Sequence, residues 1–348
     1  MSELSGKVQT VLGPIDAGDL GVTLTHEHLL VDLARVFHEP EEATKLGFAL
    51  QPVSMENLWW VRHNWASNRD NHRLLDEEMA IEEATRYKRA GGVSLVDATS
   101  VGIRRDPLGL ARIARATGLN VIMGSGYYVD EFHPQDMGAK SEDDIVEEIV
   151  GDLTEGVGDT GIKAGVIGEI GCSWPLTDNE RKSLMAAARA QRLTGAPLLI
   201  HPGRNPQAPL AIMEIVKEAG GVARRTLMSH IDRTIFDFET LDQLAETGCY
   251  IEYDLFGSES THYPLSPIDM PNDGKRLDYI LHLRDTGRLD QVLMAHDICY
   301  KTRLTRYGGH GYAHILENVV PIMRRKGLSP EDINRILVDN TARALAFD

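Results

Sequence analysis

Val22-Thr-Leu-Thr-His-Glu-His-Leu-Leu-Val-Asp32 is the stretch on which the reading of this chain turns. β-Branched and leucine side chains dominate it and no helical period fits, so it reads as a buried strand over 22–32. In a strand, residues i and i+2 project to the same face. The imidazoles of His26 and His28 therefore stand together, about 6–7 Å apart at the backbone, close enough to grip one metal ion. A histidine pair in a core strand is commonly structural, so the weight falls on what the rest of the chain places beside it.

Four later apolar runs each stop at a candidate ligand. The run 164–170 carries Glu169, 196–201 ends in His201, 226–230 ends in His230, and 291–297 ends in His296 and Asp297. Each then passes into glycine, proline or charged residues. A parallel strand buried on both faces, with function at its carboxyl end, has this form. Chance core histidines would rarely collect at the same end of successive strands. Nitrogen and carboxylate donors without thiolates suit zinc, or manganese and cobalt.

Strands are expected at 22–32, 93–99, 120–125, 164–170, 197–201, 226–230, 249–254 and 291–297, with amphipathic helices between them. Ser141 before Glu142-Asp143-Asp144 opens one helix with a capping serine and an acidic first turn, and Thr177…Glu180 is a capping box for another. Eight strands alternating with helices predict a (β/α)8 TIM barrel, one domain over 1–348, with the metal site at the carboxyl ends of the strands. An open doubly wound sheet would need a glycine-rich dinucleotide turn, and would not bring ligands from the first, fourth, fifth, sixth and eighth strands together. A long excursion after the first strand, at 33–77, is rich in aromatics (Phe37, Phe48, Trp59, Trp60, Trp65). It reads either as a partial lid over the strand ends or as surface packing.

Composition narrows the function classes. The 348 residues are 42% hydrophobic, ample for a large core, and no stretch approaches the ~20 apolar residues of a membrane span. The start, Met1-Ser-Glu-Leu-Ser-Gly-Lys-Val8, lacks an apolar segment of signal-peptide length. Three cysteines (Cys172, Cys249, Cys299) argue against a disulfide framework and for a reducing, cytoplasmic setting. A formal net charge of −16 makes nucleic acid a poor partner. The expected partner is a small molecule, with no nucleic acid and no membrane, and with room for a homodimer.

Laid out in this way the chain resembles the amidohydrolase superfamily, within it the phosphotriesterase family, and most closely the phosphotriesterase-related branch. The resemblance rests on Thr25-His-Glu-His28, His201, His230 and Ala295-His-Asp-Ile298. It rests also on Leu4-Ser-Gly-Lys-Val-Gln-Thr-Val-Leu-Gly13 and Arg306-Tyr-Gly-Gly-His-Gly-Tyr312, and it spans almost the whole chain. It implies two divalent ions per chain, most simply zinc, held by His26, His28, Glu169, His201, His230 and Asp297. One departure matters. Phosphotriesterases proper bridge their metals with a carboxylated lysine at the end of the fourth strand, where this chain has Gly165-Val-Ile-Gly-Glu-Ile-Gly171. Glu169 is the available bridge, as in relatives that use a glutamate. It falls one residue later than that lysine, and a one-residue shift turns a strand side chain to the opposite face, so the strand must be slipped or bulged there. Lys163 has the parity of Glu169 but lies about 20 Å away along an extended strand, at the wrong end of the barrel.

The resemblance further implies a metal-bridging hydroxide as the nucleophile, with Asp297 taking its proton and passing it to the leaving group. His296, facing the other way by strand alternation, reads as structural or as a relay. Tyr128 resembles the tyrosine that lines the metal pocket of lactonase-like relatives. Arg204, Arg233, Lys301 and Arg303 follow ligand-bearing strands closely. Such cations beside a metal centre suit a carboxylate or sulfonate, unless neighbouring acids such as Asp232 neutralise them. The branch is associated with amide hydrolysis, which predicts cleavage of small N-acyl compounds with an anionic tail, N-acetyltaurine or N-acetyl amino acids. Lactone or carboxylester hydrolysis with weak phosphotriesterase activity is the first alternative. A small-ligand-binding protein without turnover is the remote one.

Overall fold

The eight expected strands are all present in the structure, a computed structural model that describes residues 4–260 and 263–348. They are β1 (Thr23–Glu27), β2 (Ser94–Asp97), β3 (Asn120–Ser125), β4 (Val166–Gly171), β5 (Leu198–His201), β6 (Thr226–Met228), β7 (Tyr250–Tyr253) and β8 (Val292–Met294). They run parallel in chain order in one sheet. The Asp297 N–H donates to the His26 carbonyl at 3.1 Å and joins the last strand end to the first, completing the barrel. Helices separate the strands. Ser141 and Thr177 each cap a helix through a reciprocal capping box, worth about 1 kcal/mol per cap. Among the described residues no helix is long and apolar enough to cross a membrane.

The barrel interior divides by chemistry. Toward the amino ends of the strands, Val96, Ile122, Val166, Leu199, Leu227 and Leu293 pack against Val8 and Leu345, all fully buried. Each such side chain contributes ~1.5–3 kcal/mol of transfer free energy. Val8 belongs to a hairpin (Lys7–Thr10 with Gly13–Asp16) that the sequence pattern did not suggest, and with the last helix it closes that end. Polar side chains fill the carboxyl end.

The first strand is shorter than expected. It leaves the ladder after Glu27 because buried carboxylates take its neighbours' backbone donors: Glu27 accepts from the N–H groups of His296 (2.9 Å) and Ile298 (3.0 Å), and Asp97 from that of Leu29 (2.7 Å). Val31–Asp32 pairs instead, antiparallel, with Arg73–Leu74. The excursion divides its tryptophans. Trp60 is buried with Val53, Leu58 and Val61, Trp59 is exposed, and Trp65 stacks on Tyr300 at 4.9 Å beside the strand ends.

The slip needed at Glu169 is present. Ser125 of β3 pairs with both Ile167 and Gly168, and the register against β5 shifts between Ile167 and Ile170. Gly168 sits at φ +128°, where a Cβ would meet the Leu199 carbonyl oxygen at 2.1 Å, so only glycine fits the bulge.

Candidate metal centre and substrate pocket

The side chains expected as ligands converge. His28 Nε2 lies 3.3 Å from Glu169 Oε1 and 3.3 Å from Asp297 Oδ1, and His26 Nε2 is 3.6 Å from Glu169 Oε2. On the other side of the same carboxylate, His201 Nδ1 is 2.8 Å and His230 Nε2 3.7 Å from Glu169 Oε2. Two donor groups result, His26/His28/Glu169 and Glu169/His201/His230. In each, the ligand atoms all lie within 4.8 Å of one another. His26 Nε2 is buried with no hydrogen-bond partner among the described residues, an arrangement that costs free energy unless a ligand relieves it. Nitrogen and carboxylate donors meeting from opposite sides of Glu169 fit two divalent ions.

The outer nitrogens are held by residues that sequence reasoning did not select. His26 Nδ1 is 3.1 Å from Ser229 Oγ, whose hydroxyl donates to Glu252 at 2.7 Å. His28 Nδ1 is 2.9 Å from Thr99 Oγ1, whose hydroxyl donates to the Leu30 carbonyl. His230 Nδ1 is 2.8 Å from Asp254 Oδ1, and Asp254 Oδ2 lies 3.2 Å from His26 Nδ1, so one carboxylate braces a histidine from each donor group. In each case the network places a hydrogen on Nδ1, so Nε2, which faces the cluster, is the nitrogen a metal would take once the ring is neutral. The signal for Asp254 was present: the 249–254 run ends in a polar group just as its neighbours do. His230 and Asp297 both have left-handed backbones, φ 56° and 50°, which cost about 1–3 kcal/mol each. The His230 N–H to Asp254 and the Asp297 N–H to His26 help to offset this.

His296 is structural. Its Nδ1 meets Glu27 at 2.6 Å and its Nε2 accepts the Ile315 N–H at 3.1 Å, so neither nitrogen faces the cluster.

Electrostatics match this donor set. Burial opposes protonation of His26 and His28, yet the carboxylates overcome it. Glu169 and Asp254 raise His26, and Asp297 and Glu169 push His28 up to about 10. His201 goes the other way, pushed down to about 3 by burial, with His230 and Arg233 adding to it. Burial would raise Glu169, but His26 and His201 hold it well below the usual carboxylate range. The acids thus demand cations, and a metal must displace protons from raised imidazoles. Below the raised values the proton competes, so apparent metal affinity is expected to climb with pH between about 6.5 and 8, roughly tenfold per unit for each proton displaced. Titration against a chromophoric chelator at several pH values measures this, and a flat profile would refute it.

Beside the cluster lies a small cavity of about 80 Å³, whose lining includes Trp65, Tyr128, Tyr263, Arg204, Arg233 and Arg303, with His201 and Asp297 in its wall. The Tyr128 ring stands edge-on to His201 at 4.9 Å, and burial pushes its phenol far above the ordinary range, keeping the hydroxyl. Arg233, 3% exposed, donates to His201 Nε2 and to the Pro202 carbonyl, both at 3.1 Å. Arg303 donates to the carbonyls of Phe256 (2.7 Å) and His296 (3.0 Å). Arg204 Nε donates to the Tyr263 hydroxyl at 3.2 Å. None of the three meets a carboxylate among the described residues, and Asp232 pairs with Arg276 rather than with Arg233. Lys301 departs from expectation. It turns away from the cavity to Asp70, 2.6 Å distant, because that acid of the excursion lies within its reach.

A (β/α)8 barrel with paired nitrogen and carboxylate donors at its strand ends defines a metal-dependent hydrolase. A model of the phosphotriesterase family matches residues 6–345. N-acetyltaurine hydrolases of Bos taurus and Homo sapiens are 48% and 46% identical to this chain, each alignment covering 100% of both proteins. Among solved structures, a resiniferatoxin-binding protein from Rhodobacter sphaeroides superposes with a TM-score of 0.95 at 38% identity, over 99% of this chain and 98% of that one. A lactonase from Listeria monocytogenes gives 0.79 at 25% identity, over 98% and 99%. The chain belongs to the phosphotriesterase family.

Proposed function

We propose that this chain hydrolyses the amide bond of N-acetyltaurine, releasing acetate and taurine. The observation that carries the reading is the set of three guanidinium groups, free of carboxylate partners among the described residues, around a small cavity at the donor cluster. A sulfonate tail supplies the missing anion, and a guanidinium pairs with it through parallel hydrogen bonds. The full-length relatives named N-acetyltaurine hydrolase support the same substrate. Other N-acyl compounds with acidic tails would use the same contacts.

Bound at these six residues, two divalent ions, zinc in this reading, would polarise the acyl oxygen and activate water. The chain's own groups do the rest. Asp297, whose side chain is partly open to the cavity, takes a proton from the attacking water and returns it to the leaving nitrogen. Tyr128 and Trp65 wall the cavity. Arg204, at its mouth, is exposed enough to meet a substrate tail. The reading sets the enzyme in the cytoplasm, where its free cysteines stay reduced.

Arg204→Ala, Arg233→Ala and Arg303→Ala distinguish this substrate from a lactone. A charge-assisted contact contributes about 1.5–3 kcal/mol, so at least one variant should lose roughly one to two decades of kcat/KM on N-acetyltaurine. The same variant should barely change on a neutral sulfonamide analogue. Equal treatment of charged and neutral substrates by all three would leave lactone hydrolysis as the better reading.

A further inference from the structure

A second cationic concavity lies on the outer side of the loops that follow β1 and β2. Arg35, Arg69, Arg73 and Arg104 line a single cleft of about 660 Å³, within the range of small-molecule sites, and Asp32 is its only acidic lining residue among those described. The chain carries 52 acidic residues against 36 basic ones, so a bland surface would interleave acids here. Among the described residues, only Arg73 of the four has an acidic partner, Asp32 at 3.5 Å. Arg35 spends one donor on the Glu131 carbonyl and lies 5.7 Å over the Phe132 ring, which also lines the cleft. Arg69 lies over Phe37 at 5.0 Å.

Arg104 is the most informative of the four. It follows Gly102 and Ile103, is exposed, and holds φ at +73°, one of few non-glycine residues here in the left-handed region. Its neighbour Arg105 turns inward to Asp152 (2.6 Å) and the Gly124 carbonyl. The left-handed turn thus sends consecutive arginines opposite ways, one to a buried partner and one to the cleft. Backbone outliers of this kind gather at binding sites. The cleft also shares a wall with the catalytic cavity: within residues 32–36, Ala34 and Arg35 face the cleft while Leu33 and Val36 face the cavity.

We propose that this cleft is a binding site for a small polyphosphate-bearing molecule, distinct from the metal centre and placed on the outer side of the catalytic wall. Forked guanidiniums at several points suit phosphate groups in series.

Isothermal titration of the metal-loaded protein with inorganic tripolyphosphate tests this. The wild type should bind it more tightly than monophosphate, with affinity falling as salt rises. Arg69→Ala/Arg104→Ala, both changes at exposed positions, should weaken binding about tenfold per arginine. ATP in place of tripolyphosphate resolves the source: tighter binding assigns a nucleotide, and equal binding assigns the phosphate chain alone. Chelation of the metals, or entry into the catalytic cavity, would be the same in wild type and double variant. An unchanged dissociation constant in the double variant would therefore overturn the proposal, as would absence of tripolyphosphate binding to the wild type.

Discussion

Exchange of Asp297 for asparagine is expected to lower kcat by about 10²–10⁴ while leaving the fold intact. Asparagine is among the residues that tolerate a left-handed backbone, so φ 50° is kept, and with it the N–H bond to the His26 carbonyl that joins the barrel ends. What is lost is the group that accepts and returns a proton. The His28 imidazole, 3.3 Å from Asp297 Oδ1, also loses part of the charge that holds its pKa up to about 10, so it should be deprotonated more readily. Metal analysis of the variant separates the two effects. Low turnover with metal content like that of the wild type assigns Asp297 to proton transfer, and near-normal turnover at full loading would remove it from that role.

The barrel and the convergence of its candidate ligands were legible because both leave period-2 or end-of-strand signals in the chain. His26 and His28 share a strand face, and His201, His230 and Asp297 each terminate an apolar run. The bulge at Glu169 was inferable because family parity and side-chain direction could not both hold in a regular strand, and Gly168 supplies the backbone freedom. The end of the first strand was not legible. It depends on Glu27 and Asp97, whose carboxylates capture backbone donors from elsewhere in the fold, and such competition has no local pattern. The same limit explains Lys301. Its position after the eighth strand suggested the pocket, but its direction is decided by Asp70, 231 residues away in sequence. Asp254 differs again. It ends the apolar run 249–254 just as His201 and His230 end theirs, so its role carries the same end-of-strand signal.

Glu169→Ala should have the larger effect on metal content, because Glu169 is the member that the His26/His28 and His201/His230 groups share. Oε1 faces His28 at 3.3 Å, and Oε2 faces His201 at 2.8 Å and His230 at 3.7 Å. Truncation removes the shared donor and its negative charge from among the imidazoles. Loss of metal is expected, together with nearly all activity. A readout independent of turnover is available. Ligands that bind only the folded state stabilise it by RT ln(1 + [L]/Kd), so zinc should raise the Tm of the wild type and raise that of Glu169→Ala much less. Lys163→Ala is the matched control. That lysine lines a groove with Lys7 and Leu12 of the amino-terminal hairpin segment, at the closed end of the barrel, and should leave loading and the zinc-dependent Tm shift unchanged. Full metal content in Glu169→Ala would mean that the two donor groups are bridged by something other than this glutamate. Loss of metal on changing Lys163 would show that the bridge had been placed on the wrong residue.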